Sequence, residues 1–344
     1  MFNTGLSLDQ APPISVPYRF FLTAPIFGIL IGIAFFFFPI EIVGNRYSPI
    51  TIGLVHLFTL GILTMIIFGA MQQMMPVLSG AVIPKPKLFA FVVHTSLTLG
   101  TLLFASSFIF DIGFFLHIAI ALLSIAFLTF FTVSTKLLFK VKFLTSTVNA
   151  MKLFSIMGLL TIVLGIIIAF NYITSNIPDN HYFFVNTHIL LGLFGFAVLL
   201  IMGVAFQVIP MFYVAKDFPK FVQNKVPLFI FGLLFAFAGF IFLELNIYIL
   251  KLIFAALLIL FSFKALDSLN NRRRPVFDVT LWYWKTSLYF FIFSMLNWLF
   301  VPQDSPFLLS IMFAFGFLYS LLQGMVYKII PFLAWFHLSS RGYF

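Results

Sequence analysis

Six histidines and twelve methionines are the side chains of this 344-residue chain best suited to hold a metal, and cysteine is absent. Without thiolates, disulfides and sulfur-ligated zinc are excluded, which leaves imidazole and thioether chemistry. Imidazole serves haem iron and copper alike, and thioethers select Cu(I). His56, His117 and His188 each lie inside a long apolar segment. His56 is about six residues from the segment's end, which at 1.5 Å per residue is roughly 9 Å deep, and His117 and His188 lie at similar depth. His181 precedes the segment that carries His188, His94 lies toward the opposite end of its own segment, and His337 follows the last one. A histidine so placed either ligates a metal or donates across helices to a carbonyl, a contact worth about 0.6–2 kcal/mol in membrane proteins. Met71, Met74 and Met75, with Met202 and Met211, cluster toward the far ends of two segments. Filling of apolar gaps is a simpler account of them than a copper path.

Carboxylate chemistry is poorly supplied. The nine acidic residues all fall in loops or near helix ends. Gln72, Gln73, Gln207, Tyr319, Gln323, Tyr327 and Lys328 do not make the buried Asp, Glu or His relay that proton pumping uses. Lys328 is expected to neutralise carbonyls freed by Pro331 or to snorkel toward water.

The elements that carry these residues are set by composition. Apolar residues make up 62% of the chain and charged residues 8%, with a mean hydropathy of +1.16. A soluble domain cannot hide that much apolar surface, whereas a bilayer accepts helices of about 20 such residues. The 53 phenylalanines read as helix filler rather than as an aromatic site. The expected fold is an all-α polytopic bundle of about ten spans, near 18–39, 50–75, 88–109, 112–136, 147–172, 182–210, 226–245, 247–266, 281–301 and 306–334. Residues 1–17 and 335–344 form tails on either side of one membrane domain, 18–334. With no basic stretch ahead of an apolar run near the start, no cleaved signal is expected.

Charge orients the bundle. With both termini cytoplasmic, 17 of the 19 Lys and Arg lie on or nearest the inner side, and only Arg46 and Lys251 lie opposite. A multi-pass protein of the bacterial inner membrane is the expectation, and the net charge of +10 follows from topology. Arg272–Arg274 then meets anionic lipid rather than nucleic acid.

Spans 2, 6 and 10 share a punctuation: Gly61, Gly69, Pro76; Gly195, Gly203, Pro210; Gly316, Gly324, Pro331. The intervals are eight and then seven residues each time, and Gln73, Gln207 and Lys328 stand three positions before the prolines. A repeat this regular predicts three equivalent helices around a pseudo-threefold axis, with glycines at close helix contacts.

His56-Leu-Phe-Thr-Leu-Gly61 running to Gly69-Ala-Met-Gln-Gln-Met-Met-Pro76, and His188 running to Gly203-Val-Ala-Phe-Gln-Val-Ile-Pro210, resemble subunit I of the haem-copper oxidase superfamily. They are also similar to the divergent NnrS family, linked to nitric oxide stress. The resemblance implies a low-spin haem ligand at His56 and a copper-ligand position near His188. It also implies departures. Residues 226–245 contain no histidine, and Ile311 stands where span 10 should carry a ligand, with Met312 beside it. The full oxygen-reducing site is therefore not expected. What the resemblance leaves is a haem-binding protein, with or without copper, in respiratory or nitrosative-stress physiology. Its cofactor residues would be His56, His188 and Met312, with His188 and His117 as metal ligands. Membrane lipid, with a periplasmic redox partner or other respiratory subunits, is the expected company, and nucleic acid is not. Two further readings stay open: a transporter of a metal ion or small solute, and a cofactor-free accessory subunit.

Overall fold

Apolar runs this long fold as helices because a bilayer core offers no partner for a bare amide or carbonyl. A computed structural model describes residues 10–174, 176–273, 276, 278–302, 307–339 and 342 of the protein. The described residues are helical throughout their ordered elements and contain no strand. In chain order the helices are α1 (Ser15–Phe37), α2 (Pro39–Gly44), α3 (Pro49–Ser79), α4 (Pro86–Ile109), α5 (Gly113–Phe139) and α6 (Ser146–Thr174). There follow α7 (His181–Tyr213), α8 (Lys220–Asn224), α9 (Val226–Phe242), α10 (Tyr248–Asn270), α11 (Val279–Phe300) and α12 (Phe307–Ser339).

Eight of these are long and apolar enough to cross a membrane. The other two large helices differ for visible reasons: α9 has only 17 residues, and α11 carries Trp282, Tyr283, Trp284 and Lys285 near its start. Local signals set several starts. Proline opens α2, α3 and α4, where a missing N–H costs nothing. The Ser48 hydroxyl accepts from Thr51 N at 3.1 Å, and the Asp278 carboxylate accepts from Thr280 N at 2.9 Å. The helix α12 runs five residues past the expected boundary at 334.

The chain divides into two compact units. The first comprises Met1–Phe143, Gly165–Ile177 and Ile329–Phe344. Its centre is aromatic: Phe68 of α3 stacks on Phe130 of α5 with centroids 3.7 Å apart, and Phe127 and Phe131 approach Phe68 edge-on. Close helix approach is arranged by glycine, since a Cβ on Gly100 of α4 would stand 2.9 Å from Leu123 of α5. His94 of α4 shares a 2.8 Å hydrogen bond with Thr23 of α1, and Tyr18 of α1 donates to the carbonyl of Ile330 at 2.8 Å.

The second unit comprises Leu144–Leu164 and Pro178–Lys328. Its core brings Phe194 of α7, Phe254 of α10, Trp298 of α11 and Phe313 of α12 together, with Phe194 5.0 Å from Phe254 and 5.4 Å from Phe313. The Lys251 ammonium lies 4.9 Å from the Trp298 ring centroid, a cation–π contact that shelters a charge inside an apolar helix.

Candidate functional site

The three punctuated helices share a feature that no residue type announces. Each contains an eight-residue π-helical segment: Leu57–Thr64 in α3, Leu191–Val198 in α7 and Met312–Tyr319 in α12. Every segment begins four residues before the first glycine of its helix, so the three are in one register. Long π runs are rare and recur at functional sites. The widened turn leaves carbonyls off the α pattern, and hydroxyls five residues on answer two of them. Thr64 donates to Thr59 O at 2.7 Å, and Ser320 to Phe315 O at 3.1 Å.

The π segment explains the glycine spacing. In a straight α-helix, residues eight apart differ by roughly 80° in direction. A π turn needs more residues per circuit, so each rotates by roughly 80° rather than 100°, and about four such steps swing both glycines onto nearly one face. That face meets the large helix before it in the chain, which for α3 is α1. A Cβ on Gly61 would lie 2.3 Å from Phe27 and one on Gly69 2.8 Å from Phe20. The second copy repeats this with Gly195 2.8 Å from Met157 and Gly203 2.3 Å from Ala150. The third has Gly316 2.5 Å from Phe290 and Gly324 2.7 Å from Tyr283. In every copy the two partner residues are seven apart, which is two straight α turns. The repeating unit is therefore an antiparallel hairpin, α1–α3, α6–α7 and α11–α12, rather than a single helix, and the glycines face the hairpin partner.

The candidate ligands stand at the entrances to the π segments. His56 immediately precedes the first; it is half-buried, its ring centroid 4.5 Å from that of Phe104, and its Nδ1 is 2.8 Å from Ile52 O. A carbonyl only accepts, so the proton of a neutral imidazole sits on Nδ1 and the lone pair on Nε2. Metal-ligating histidines are held in this way, with the second ring nitrogen donating to a carbonyl. His188 lies three residues before the second segment, and its Nδ1 is 3.0 Å from Thr161 O on the neighbouring α6. Met312 is the first residue of the third segment and is half-buried. His117 has its Nδ1 3.1 Å from Gly113 O and points out of the fold.

His56 belongs to the first unit, and His188 and Met312 to the second. Within the second unit, ring contact between Phe194 and Phe313 joins the π segments of α7 and α12. Among the described residues, no three or more His, Cys, Asp or Glu gather as a metal site.

Lys328 behaves differently from expectation. It bonds the Asp278 carboxylate that caps α11. The other Asp278 oxygen accepts from the Thr280 hydroxyl at 2.7 Å, and that hydroxyl shares a 2.6 Å hydrogen bond with Tyr213. Burial pushes the Asp278 carboxyl up, but the hydrogen bonds from Lys328 and Thr280 outweigh it and hold the group below its usual range. The cause is pairing across helices, not the proline; Asp278 was the missed member, hidden because its partner lies 50 residues away.

Comparison with protein-family models, curated proteins and solved structures finds no match to this chain.

Proposed function

We propose that this protein is a haem-binding protein of the bacterial inner membrane, related to the oxidase catalytic subunit but without its oxygen-reducing centre. His56 carries the proposal. Its Nδ1–H is committed to Ile52 O at the entrance to a π segment, the arrangement in which metal-ligating histidines are held. His56 would hold the haem iron, and His188 or Met312 is the candidate for a second ligand. Bound haem would supply reversible one-electron chemistry toward nitric oxide or a respiratory electron donor.

In this reading all ten large helices span the bilayer, both termini are cytoplasmic, and the three hairpins ring a pseudo-threefold axis. Two hydrogen bonds support the ring. The end of α7 reaches the start of α11 through Tyr213 and Thr280, and the start of α1 reaches the end of α12 through Tyr18 and Ile330. Each joins one hairpin's second helix to the next hairpin's first, which is how a closed ring of copies would be stitched.

Purification from haem-replete cells tests the proposal. A Soret band is expected, and His56→Ala removes or shifts it while His117→Ala leaves it unchanged. A colourless parent, or a His56 variant with the parent's haem content, overturns the proposal. A transporter is the second reading, favoured by three helices whose α pattern is interrupted in the same register, since transporters bind solutes at helix interruptions. A colourless protein that conducts a metal ion or solute in vesicles would establish it.

A further inference from the structure

The helix α3 ends on Gly80, whose φ of 70° is left-handed, and this is ordinary for glycine. The same repeat position in α7 is Val214, at a φ of 50°. A β-branched residue in this region is a true outlier, and such strain persists only where the surroundings enforce it, commonly at a binding site. What holds it here is a pair of hydrogen bonds at the edge of a cleft. Arg273 N donates to Val214 O at 3.0 Å, and the Ser268 hydroxyl donates to Lys216 O at 2.7 Å, tying the segment after α7 to the end of α10. Between them lies a space of about 490 Å³ lined by Val214, Ala215, Lys216, Asp217, Asn271 and Arg273.

Its charges are mixed in a telling way. Lys216, Asp217 and Arg273 are exposed, and among the described residues none of the three enters an ion pair. The Asn271 amide is already committed to Asp267, through its carbonyl at 3.0 Å and its carboxylate at 2.9 Å. A simple anion would meet two cations and be opposed by Asp217. A ligand with one phosphate and one ammonium satisfies all three. The cleft opens at the ends of two membrane helices, where lipid headgroups lie. Val214, half-exposed, and Met211, one turn back on α7, give an apolar ledge beside it.

We propose that this cleft holds the headgroup of an aminoalkyl phospholipid such as phosphatidylethanolamine. The phosphate lies between Lys216 and Arg273, the primary ammonium on Asp217, and the acyl chains along Val214 and Met211.

The test titrates the purified full-length protein with phosphatidylethanolamine, phosphatidylglycerol and phosphatidylcholine and counts retained lipid by native mass spectrometry. Phosphatidylethanolamine is retained in preference to both: phosphatidylglycerol lacks the ammonium, and the quaternary nitrogen of phosphatidylcholine cannot donate to Asp217. Each of Lys216→Gln and Arg273→Gln weakens retention by about fivefold, the worth of one cation near a membrane surface. Asp217→Asn leaves the phosphate contacts in place and abolishes the preference over phosphatidylglycerol. Soluble O-phosphoethanolamine and inorganic phosphate form a second arm. Both should compete poorly, because neither covers the ledge; displacement by either at concentrations comparable with the lipid would assign the cleft to a free phosphate compound and overturn the lipid proposal. Parent-like retention by all three variants, or a parent that prefers phosphatidylglycerol, would also overturn it.

Discussion

Gly203→Ala is the sharpest test of the hairpin repeat. The added Cβ would stand 2.3 Å from the Cβ of Ala150, and neither atom can rotate away because both are fixed to helical backbone. Restoring an ordinary separation of about 3.5 Å requires α6 and α7 to part by roughly 1.2 Å. Overpacking of this kind costs about 1–3 kcal/mol. Ala150→Gly alone loses about 1 kcal/mol through helix propensity. Combined, the substitutions move the methyl group from one helix to the other and leave the interface nearly as full as before. The double variant should therefore be more stable than the sum of the singles by about 1–2 kcal/mol, well beyond the usual scatter for independent sites. The four tryptophans allow melting to be followed by intrinsic fluorescence in detergent, with no label. Gly239→Ala in α9 is the control, since nothing lies within 4 Å of the new Cβ and the change should be neutral or stabilising by about 0.4–1 kcal/mol. If Gly203→Ala melts with the parent, or Ala150→Gly fails to rescue it, the glycines do not set the hairpin contact.

Lys328→Gln gives the third copy the residue of the other two but strands Asp278; it should cost about 1–3 kcal/mol, and adding Asp278→Asn should recover part of the loss, as read by melting temperature. Because the folded protein holds Asp278 below its ordinary pKa, its contribution is complete above that ordinary value and disappears as pH falls through the lowered one. Asp278→Asn should therefore flatten the acid limb of the melting profile and leave its shape at neutral pH unchanged. A reporter active only in the periplasm should give signal when fused near Asp111 or Asp179 and none near Lys140 or Lys220; the reverse pattern would invert the proposed orientation. If Met312 is the second axial ligand, its replacement should lower the haem potential measured by redox titration, whereas His188→Ala should leave the ligation spectrum alone.

The helical class and the approximate helix ends were legible because bilayer physics writes them into hydropathy. The glycine–proline punctuation was legible too, because only glycine tolerates backbone approaches of the kind seen at Gly61 and Gly203. The other half of each contact was not. Phe20 and Phe27, Ala150 and Met157, and Tyr283 and Phe290 follow no single residue type, since each meets its glycine largely through the Cβ that all of them possess or the atoms just beyond it. The π segments left no compositional trace, because they are a shift in backbone pairing rather than a residue preference. His56 and His188 were readable as candidates by depth. Their carbonyl partners, Ile52 on the same helix and Thr161 on another, depend on side-chain direction and packing.

The three π segments also change what a single-residue deletion would do. In an ordinary α-helix, losing one residue turns everything beyond it by about 100° and scrambles the packed face. Here the chain already carries slack at one level in each copy. A deletion between Gly61 and Met65 would let α3 relax to an α-helix and leave the two glycines seven apart, two straight α turns, so that Gly69 still faces Phe20 and the backbone pairing stays whole. Such a shortened chain should still insert and keep its hairpin registry while losing the π segment beside His56, which separates helix packing from the chemistry of that segment in one experiment.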